Sequence, residues 1–414
     1  MPGVGPLFAL SSVKMKSKSQ TERPIDTTQV LVVGAGPVGL CAALCAARHG
    51  LQVTLLDQSA RGFGIGHASI LHPASIRLMG ELGLSQQLIS EGRTMDAIEV
   101  HVDGDVKARL ELAQPALSIP QTSLETLLLK ALRREKVRVH SPCQVSALEQ
   151  GRDVVRATVV QRELVTLGSP ANYSEWQAID ASTIEARFVI GADGYESFVR
   201  SALGIEYLPA GPTETFAMFE GPGFSATSSM ELAFDAHFVS GLFPLPERRA
   251  RWGFQLGSEL DREPNLELLQ SLLQRRAPWL ASEPERVDWS IVTHFERRCV
   301  PRFGSRRAWL AGDAAHVTSP FGAQSMNGGL LEASDLVERM AACIFQSKPL
   351  ATLEQWSAER EQEWRQLLGM QTLFEAGPGA PTWLRETAPR LLAALPASGR
   401  DLQQLLRGVG LVVP

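Results

Sequence analysis

Gly34, Gly36 and Gly39, followed downstream by Asp57, stand at the spacing that fits the pyrophosphate and ribose of a dinucleotide. Gly34 permits a tight turn. Gly36 lets the backbone approach the phosphates, and Gly39 lets a helix pack close to a strand. Pro37 and Val38 enter the first helical turn, where the missing proline N–H costs nothing. The free amides and positive end of that helix then face the phosphates. A carboxylate at Asp57 accepts hydrogen bonds from ribose hydroxyls and repels a 2′-phosphate. The elements required are an apolar strand before Gly34, a helix after Gly36 and a second apolar strand ending on Asp57. The stretch VLVVGAGPVGLCAALCAARHGLQVTLLD supplies all of them.

Two further strand-like runs end on Gly and Asp. Phe188-Val189-Ile190 leads into Gly191-Ala192-Asp193-Gly194, followed by Ser197 and Arg200. Ala308-Trp309-Leu310-Ala311 leads into Gly312-Asp313-Ala314-Ala315-His316, then Pro320. Alone, either is equally well an Asx turn. Around them the pattern predicts a hairpin over 97–112 turning at Asp103-Gly104-Asp105, and an amphipathic helix over 122–135 capped by Thr122 or Ser123. Strands are expected at 137–148, 154–160 and 186–190. A block of successive strands spans 213–256, and helices cover 264–276, 325–346 and 352–374. The fold class expected is α/β: a Rossmann-like nucleotide-binding domain, an inserted antiparallel β-sheet and C-terminal helices. The expected division is a disordered leader (1–26), nucleotide-binding segments (27–95, 119–208 and 299–346), a hairpin (96–118) and main sheet (209–298) of the insertion, and C-terminal helices (347–414).

The 414 residues are 44% hydrophobic and 21% charged with a net charge of −5. That balance argues against a nucleic-acid binder relying on bulk positive charge. Cys41, Cys45, Cys143, Cys299 and Cys343 are odd in number and lack CxxC spacing, which fits a reducing, cytoplasmic setting. No apolar run approaches membrane-spanning length. No His/Cys/Asp cluster has metal-ligand spacing, so no metal is expected. Oligomeric state is open, a homo-oligomer included.

The three strand–Gly turns, in this order, resemble the flavoprotein aromatic hydroxylases related to para-hydroxybenzoate hydroxylase, over about residues 28–345. The resemblance implies FAD as cofactor, with the ribityl chain on Gly312-Asp313 and both FAD and NAD(P)H near Asp193. It implies FAD contact at Gln121, which precedes LETLL. The family reads P-x-G-G-Q-G-M-N-x-G before a long helix; here Pro320, Gly322, Ala323, Ser325, Met326 and Asn327 occupy that segment. Amides at that helix start would face the flavin N1–C2=O edge and stabilise its negative charge on reduction. Ala323 and Ser325 replace two expected glycines. His67 falls where the family places an arginine toward the pyrophosphate. His316 is implied to be structural. The implied cycle is reduction of FAD by NAD(P)H, addition of O₂ to give a C4a-hydroperoxide, and transfer of one oxygen atom to an electron-rich aromatic small molecule, with no metal.

The inserted sheet is expected to cover the flavin ring and carry the substrate pocket, with Met218, Leu232, Phe238, Ser240, Leu242 and Pro320 as candidates. Between Thr213 and Glu247 there is no Lys or Arg. An aromatic acid would want a cationic partner, so a neutral, lipophilic aromatic or heteroaromatic is expected, for hydroxylation or epoxidation. An arginine entering from elsewhere in the chain, such as Arg297 or Arg298, would overturn this. His237 is the imidazole in this stretch and the candidate base. The alternatives are an FAD oxidase or reductase, a non-catalytic flavin binder, and a flavin-dependent halogenase. The halogenase lysine and WxWxIP segment are missing.

Overall fold

The computed structural model describes residues 26–60, 70–167, 173–222, 228–257, 263–279, 284–371 and 374–412. The expectations for the leader up to residue 25 and for His67 lie outside them. β1 (Asp26–Val33) and β2 (Val53–Leu56) run parallel, Val30 opposite Val53, with α1 (Pro37–Arg48) crossing between them. α1 is buried from Gly39 to Ala46. Its small side chains let it pack against β1 and two other helices at once, and Cys41 and Cys45 serve there as small apolar groups. α2 (Pro73–Glu81) and α3 (Ser85–Glu91) lead to the hairpin β3 (Arg93–Val102) and β4 (Asp105–Ser118). Asp103 (φ 50°) and Gly104 (φ 91°) turn it, the two left-handed residues that a tight hairpin requires. α4 (Gln121–Arg134) starts directly after Pro120 with no side-chain cap, so Thr122 and Ser123 lie inside the helix rather than capping it.

β5 (Cys143–Gln150), β6 (Val155–Leu167) and β7 (Tyr173–Gly191) form an antiparallel meander. β7 is far longer than the 186–190 expected from sequence. Its outer part is polar and carries no apolar period, so only pairing with β6 makes it a strand. After α5 (Phe198–Ala202), the insertion supplies β8 (Glu214–Pro222), β9 (Ser229–Phe234), β10 (Val239–Leu245), β11 (Arg249–Leu256), α6 (Leu266–Arg276) and β12 (Trp289–Phe295). β13 (Ala308–Leu310), α7 (Gln324–Phe345), α8 (Ala351–Leu367), α9 (Thr382–Ala394) and α10 (Gly399–Gly408) complete the chain. Among the described residues, no helix is long and apolar enough to cross a membrane.

In the first sheet β13, β7, β1 and β2 are parallel neighbours. Gly191 is opposite both Val33 and Leu310, so the three strand–Gly turns emerge along one edge. Open α/β sheets bind ligands at that carboxyl edge. The second sheet runs β12-β8-β11-β10-β9-β3-β4 and is antiparallel except at β9/β3, where the early hairpin joins the insertion. Its two faces bury separate cores. Phe216, Met218, Leu232, Val239 and Phe243 pack on Phe321 and on Leu384, Leu391, Leu395 and Leu402 from the C-terminal helices. Phe219, Leu242, Trp252 and Phe254 pack on α6 through Leu269, Leu272 and Leu273. Each such leucine, fully buried, contributes about 1.5–3 kcal/mol.

Candidate functional site

Two adjoining cavities of about 600 and 620 Å³ lie along the carboxyl edge of the parallel sheet. They share Gly36, Ala192 and Gly194, which makes one elongated cleft. The first cavity is walled by Gly34, Asp57, Glu125, Cys143 and Asp193. The second is walled by Pro37, Val38, Gln121, Tyr195, the Thr293–Glu296 strand end, Asp313, the segment 317–320, Ala323, Ser325 and Met326.

The phosphate turn has the shape its glycines imply. Gly34 has φ +100°, and a Cβ there would lie 2.2 Å from the Ala192 carbonyl oxygen. A Cβ on Gly39 would lie 1.9 Å from the Gly34 carbonyl oxygen. Around Gly36 nothing comes within 4 Å of a Cβ position, and no side chain caps α1. The space in front of the helix amides is therefore open to a diphosphate. Asp57 Oδ2 accepts from the Ala35 amide at 2.6 Å and Oδ1 from the Ser59 amide at 2.7 Å, so one carboxylate ties the turn and also faces the cleft. Glu125, which the sequence reading passed over, stands one helical turn after Gln121 and accepts from its Nε2 at 2.7 Å. Burial pushes the Glu125 carboxyl up, Gln121 opposes, and the Asp57 charge adds to the rise. The i, i+4 spacing to Gln121 was the available signal.

The second and third strand ends are tied together by side chains. Asp193 accepts from Ser197 Oγ at 2.5 Å and from the Val199 amide at 3.0 Å, so its carboxylate organises the start of α5; burial nevertheless raises its pKa. Arg200 donates to the Ala314 carbonyl at 3.0 Å and the Tyr195 carbonyl at 2.7 Å, with its guanidinium 4.1 Å from the Tyr207 ring centre. Asp313 is exposed on the cavity wall, and desolvation by the surrounding protein pushes its pKa up, with His316 opposing and the Glu332 charge adding to the rise. Behind it, His316 Nε2 lies 2.8 Å from Glu332 Oε2, which also accepts from the Gly312 amide at 3.2 Å. Trp364 donates to the other Glu332 oxygen and stacks on His316 at 3.5 Å. Burial by itself would raise Glu332, but His316, Trp364 and the Gly312 amide hold it below its ordinary value. His316 is thus enclosed in the scaffold of the third turn. Glu332 had no signal in sequence, being one acid among many on a long helix.

In the loop before α7, Ala323 has φ 48° and ψ 28°, the left-handed region that favours glycine, at one of the two positions where the resembling family has glycine. Phe321 is buried against Gly241 and Gly253 and stacks on Phe243, ring centres 5.6 Å apart. Gly322 admits no side chain, since a Cβ would lie 2.6 Å from the Ala393 carbonyl oxygen. Asn327 Nδ2 donates to the carbonyls of Ile70 (2.9 Å) and Ala323 (2.7 Å), while its Oδ1 accepts from the His72 amide at 2.8 Å. Gly322 and Asn327 therefore shape the loop from behind, whereas Pro320, Ala323, Ser325 and Met326 line the cleft. The helix start carries no side-chain cap, so its amides remain available at the cavity wall.

The substrate residues expected on the sheet are distributed differently. Met218 and Leu232 lie on the face toward the loop but are covered by Phe321 and the C-terminal leucines. Leu242 packs in the opposite core, and Ser240 shares its face by the two-residue period of a strand. Those two assignments are corrected: sequence alternation shows that two faces exist, not which one meets the cleft. Phe238 sits in the β9–β10 turn beneath the Arg276 guanidinium, 4.4 Å from its ring centre. His237 is exposed in the same turn, its amide bonded to Asp235, and it is not part of the cleft wall. The sheet instead reaches the cleft through the end of β12, which the sequence reading missed because Thr293-His294-Phe295 carries no distinctive pattern. His294 Nδ1 lies 2.9 Å from Thr215 Oγ1. Among the described residues, no Lys or Arg lines the second cavity. Arg298 is engaged by Glu296 and by the Tyr207 carbonyl at 2.7 Å.

A family model described as an FAD binding domain matches residues 27–370. The 6-methylpretetramide 4-monooxygenase of Streptomyces rimosus is 28% identical over 344 residues, covering 81% of this chain and 59% of that protein. The para-nitrophenol 4-monooxygenase of Pseudomonas sp. (strain WBC-3) is 25% identical over 382 residues, covering 87% of this chain and 88% of its own length. The crystal structure of p-nitrophenol 4-monooxygenase from Pseudomonas putida DLL-E4 superposes with a TM-score of 0.71 at 21% identity, over 93% of this chain and 94% of that one, which is a likeness of fold.

Proposed function

Since the chain belongs to the FAD-binding family of flavoprotein aromatic monooxygenases, we propose that it uses NAD(P)H and O₂ to place one oxygen atom on a neutral, lipophilic aromatic or heteroaromatic small molecule. The observation that carries the substrate class is the wall of the second cavity. Val38, Phe295, Val317, Pro320 and Met326 are apolar, and no cationic side chain stands among the described lining residues to pair with an acid.

The residues present fit FAD. The open space at Gly36 and the α1 amides would take the pyrophosphate, Asp57 the adenosine ribose, and Asp313 the ribityl hydroxyls. Val38, Gln121 and the α7 amides would border the ring. When bound, FAD would accept reducing equivalents from NAD(P)H and activate O₂. The protein's share is orientation, charge stabilisation and exclusion of water. Amides at the α7 start would stabilise negative charge on a bound flavin. Segment 317–320 and the end of β12 close the cavity around the substrate. His294, in the tautomer whose Nδ1–H donates to Thr215 Oγ1, has Nε2 left to accept a proton from a phenol or a ring N–H. His294 takes the base role first assigned to His237.

The test is anaerobic reduction of the bound flavin by NADH and by NADPH, followed by aeration, with panels of neutral heteroaromatics and of aromatic acids. Faster reduction with a neutral compound and a product heavier by one oxygen atom support the proposal. Activity confined to acids refutes the substrate class. Absence of reduction by either nicotinamide under every condition refutes NAD(P)H as the donor.

A further inference from the structure

We propose that Glu99, His101 and Glu231 form a site for a divalent transition cation such as zinc, on the face of the inserted sheet turned away from the cleft. The inference is independent of the reaction proposed above. β3 and β9 are the parallel seam of that sheet, with Glu231 directly opposite Glu99 and Ala233 opposite His101. Ile98, Val100, Met230 and Leu232 occupy the other face, so the three polar side chains share this one. Two carboxylates side by side in register repel each other. His101 is harder to explain without a ligand. Its side chain is 3% exposed, and neither ring nitrogen has a hydrogen-bond partner among the described residues. Its Nε2 points into the acidic pair, 3.3 Å from Glu231 Oε2 and 4.0 Å from Glu99 Oε2.

The geometry is that of a nearly assembled ligand set. One ligand atom from each residue lies within 4.8 Å of the other two. Bonds of about 2 Å in a tetrahedron place ligand atoms roughly 3.3–3.5 Å apart. Closing the set requires only small side-chain rotations, leaving the fourth position to water. Outer contacts already orient the ligands. Trp279 stacks on the imidazole at 4.5 Å between ring centres and 14° between planes. Arg109 binds the Glu99 oxygen facing away from His101 and also bonds Ser229 at 3.1 Å. Supporting partners of this kind fix ligand orientation in metal sites. One imidazole nitrogen and two carboxylate oxygens suit zinc and its first-row neighbours. The bound cation would neutralise the paired carboxylates and cross-link the hairpin to the insertion. Glu231 lies far along the chain from Glu99 and His101, so sequence spacing predicted no metal.

The test uses the FAD-loaded protein, freed of metal by a chelator and titrated with zinc chloride by calorimetry. The expected result is one saturable site of micromolar affinity or better. Glu231→Gln, which keeps the shape and removes the charge, should weaken it roughly tenfold or more, as should His101→Gln, with the flavin absorbance unchanged. The zinc-edge absorption spectrum of the wild type should show an imidazole among oxygen donors and no sulfur. It reads the same ligands without mutation should His101→Gln misfold. Absence of saturable binding overturns the proposal and leaves His101 as a packing and contact partner of Glu231. Undiminished affinity in Glu231→Gln overturns it equally.

Discussion

Acid should loosen the C-terminal segment from the loop Pro320–Asn327 through a single buried imidazole. His72 Nε2 lies 2.7 Å from the Gly322 carbonyl, which only accepts, so Nε2 carries the proton; Nδ1, 3.2 Å from Ser398 Oγ, then accepts from that hydroxyl. The neutral ring thus ties the flavin-side loop to the start of α10. Burial holds its pKa down to about 4, against 6.5 for an ordinary histidine. The unfolded chain therefore takes up a proton that the folded chain refuses. This contribution is fully present above about pH 6.5 and is lost as pH falls toward about 4. Each unit between those limits costs about 1.4 kcal/mol, so a drop from about pH 7 to about pH 5 costs roughly 2 kcal/mol. For a chain of this length, per-residue unfolding entropies convert that to about 2–4 °C in Tm. His72→Gln keeps an N–H to offer Gly322 and does not titrate in this range. Thermal unfolding at both pH values should show the wild type losing about 2–4 °C more than the variant. Equal losses in the two proteins would refute the assignment of this acid sensitivity to His72.

Gly39→Ala, with its methyl forced onto the Gly34 carbonyl, should lower both stability, by about 1–3 kcal/mol, and flavin content measured by absorbance. Gly36→Ala has free space and should leave the apoprotein's Tm unchanged while losing FAD to the methyl in the phosphate path; retained flavin would place the pyrophosphate elsewhere. Ala323→Gly should raise Tm by relieving a left-handed residue, a gain of about 1 kcal/mol less the added chain entropy of glycine; a fall in Tm would mean the methyl's packing outweighs the strain. His237→Ala should leave turnover unchanged. His294→Ala should lower kcat about 100-fold on phenolic or N–H substrates without changing the flavin content, and the reverse pattern would restore His237 as base.

The parts legible in sequence are those decided within a few residues of chain. Gly34 and Gly39 had to be glycine because a Cβ would strike backbone, and those collisions are local to one turn. The ends of β1, β7 and β13 were likewise readable as apolar runs stopping at Gly. Their alignment along one edge follows from parallel pairing of short buried strands. The resemblance pointed to Asp313, Gln121, Pro320, Ala323, Ser325 and Met326, which line the cleft, and to Gly322 and Asn327, which stand behind the loop. It also flagged Ala323, where the structure shows the left-handed backbone that makes glycine the expected residue.

What failed depended on partners far away in the chain. Ser240 and Leu242 alternate correctly but face α6, and only the tertiary packing decides which side of a two-sided apolar sheet meets the cleft. The C-terminal helices cover the other side, taking Met218 and Leu232 out of the pocket. β12 reaches the cleft because it is the edge strand beside β8, a position no feature of Thr293-His294-Phe295 encodes. The Glu332–His316–Trp364 cluster and the Glu99–His101–Glu231 cluster each join residues from separate elements. By itself, then, the sequence determined the phosphate turn, the three strand ends and the cofactor class, because backbone sterics act between near neighbours. The tertiary structure alone decided the lining of the second cavity, the buried charge partners and the face each strand presents, because those depend on strand pairing and layer packing between distant segments.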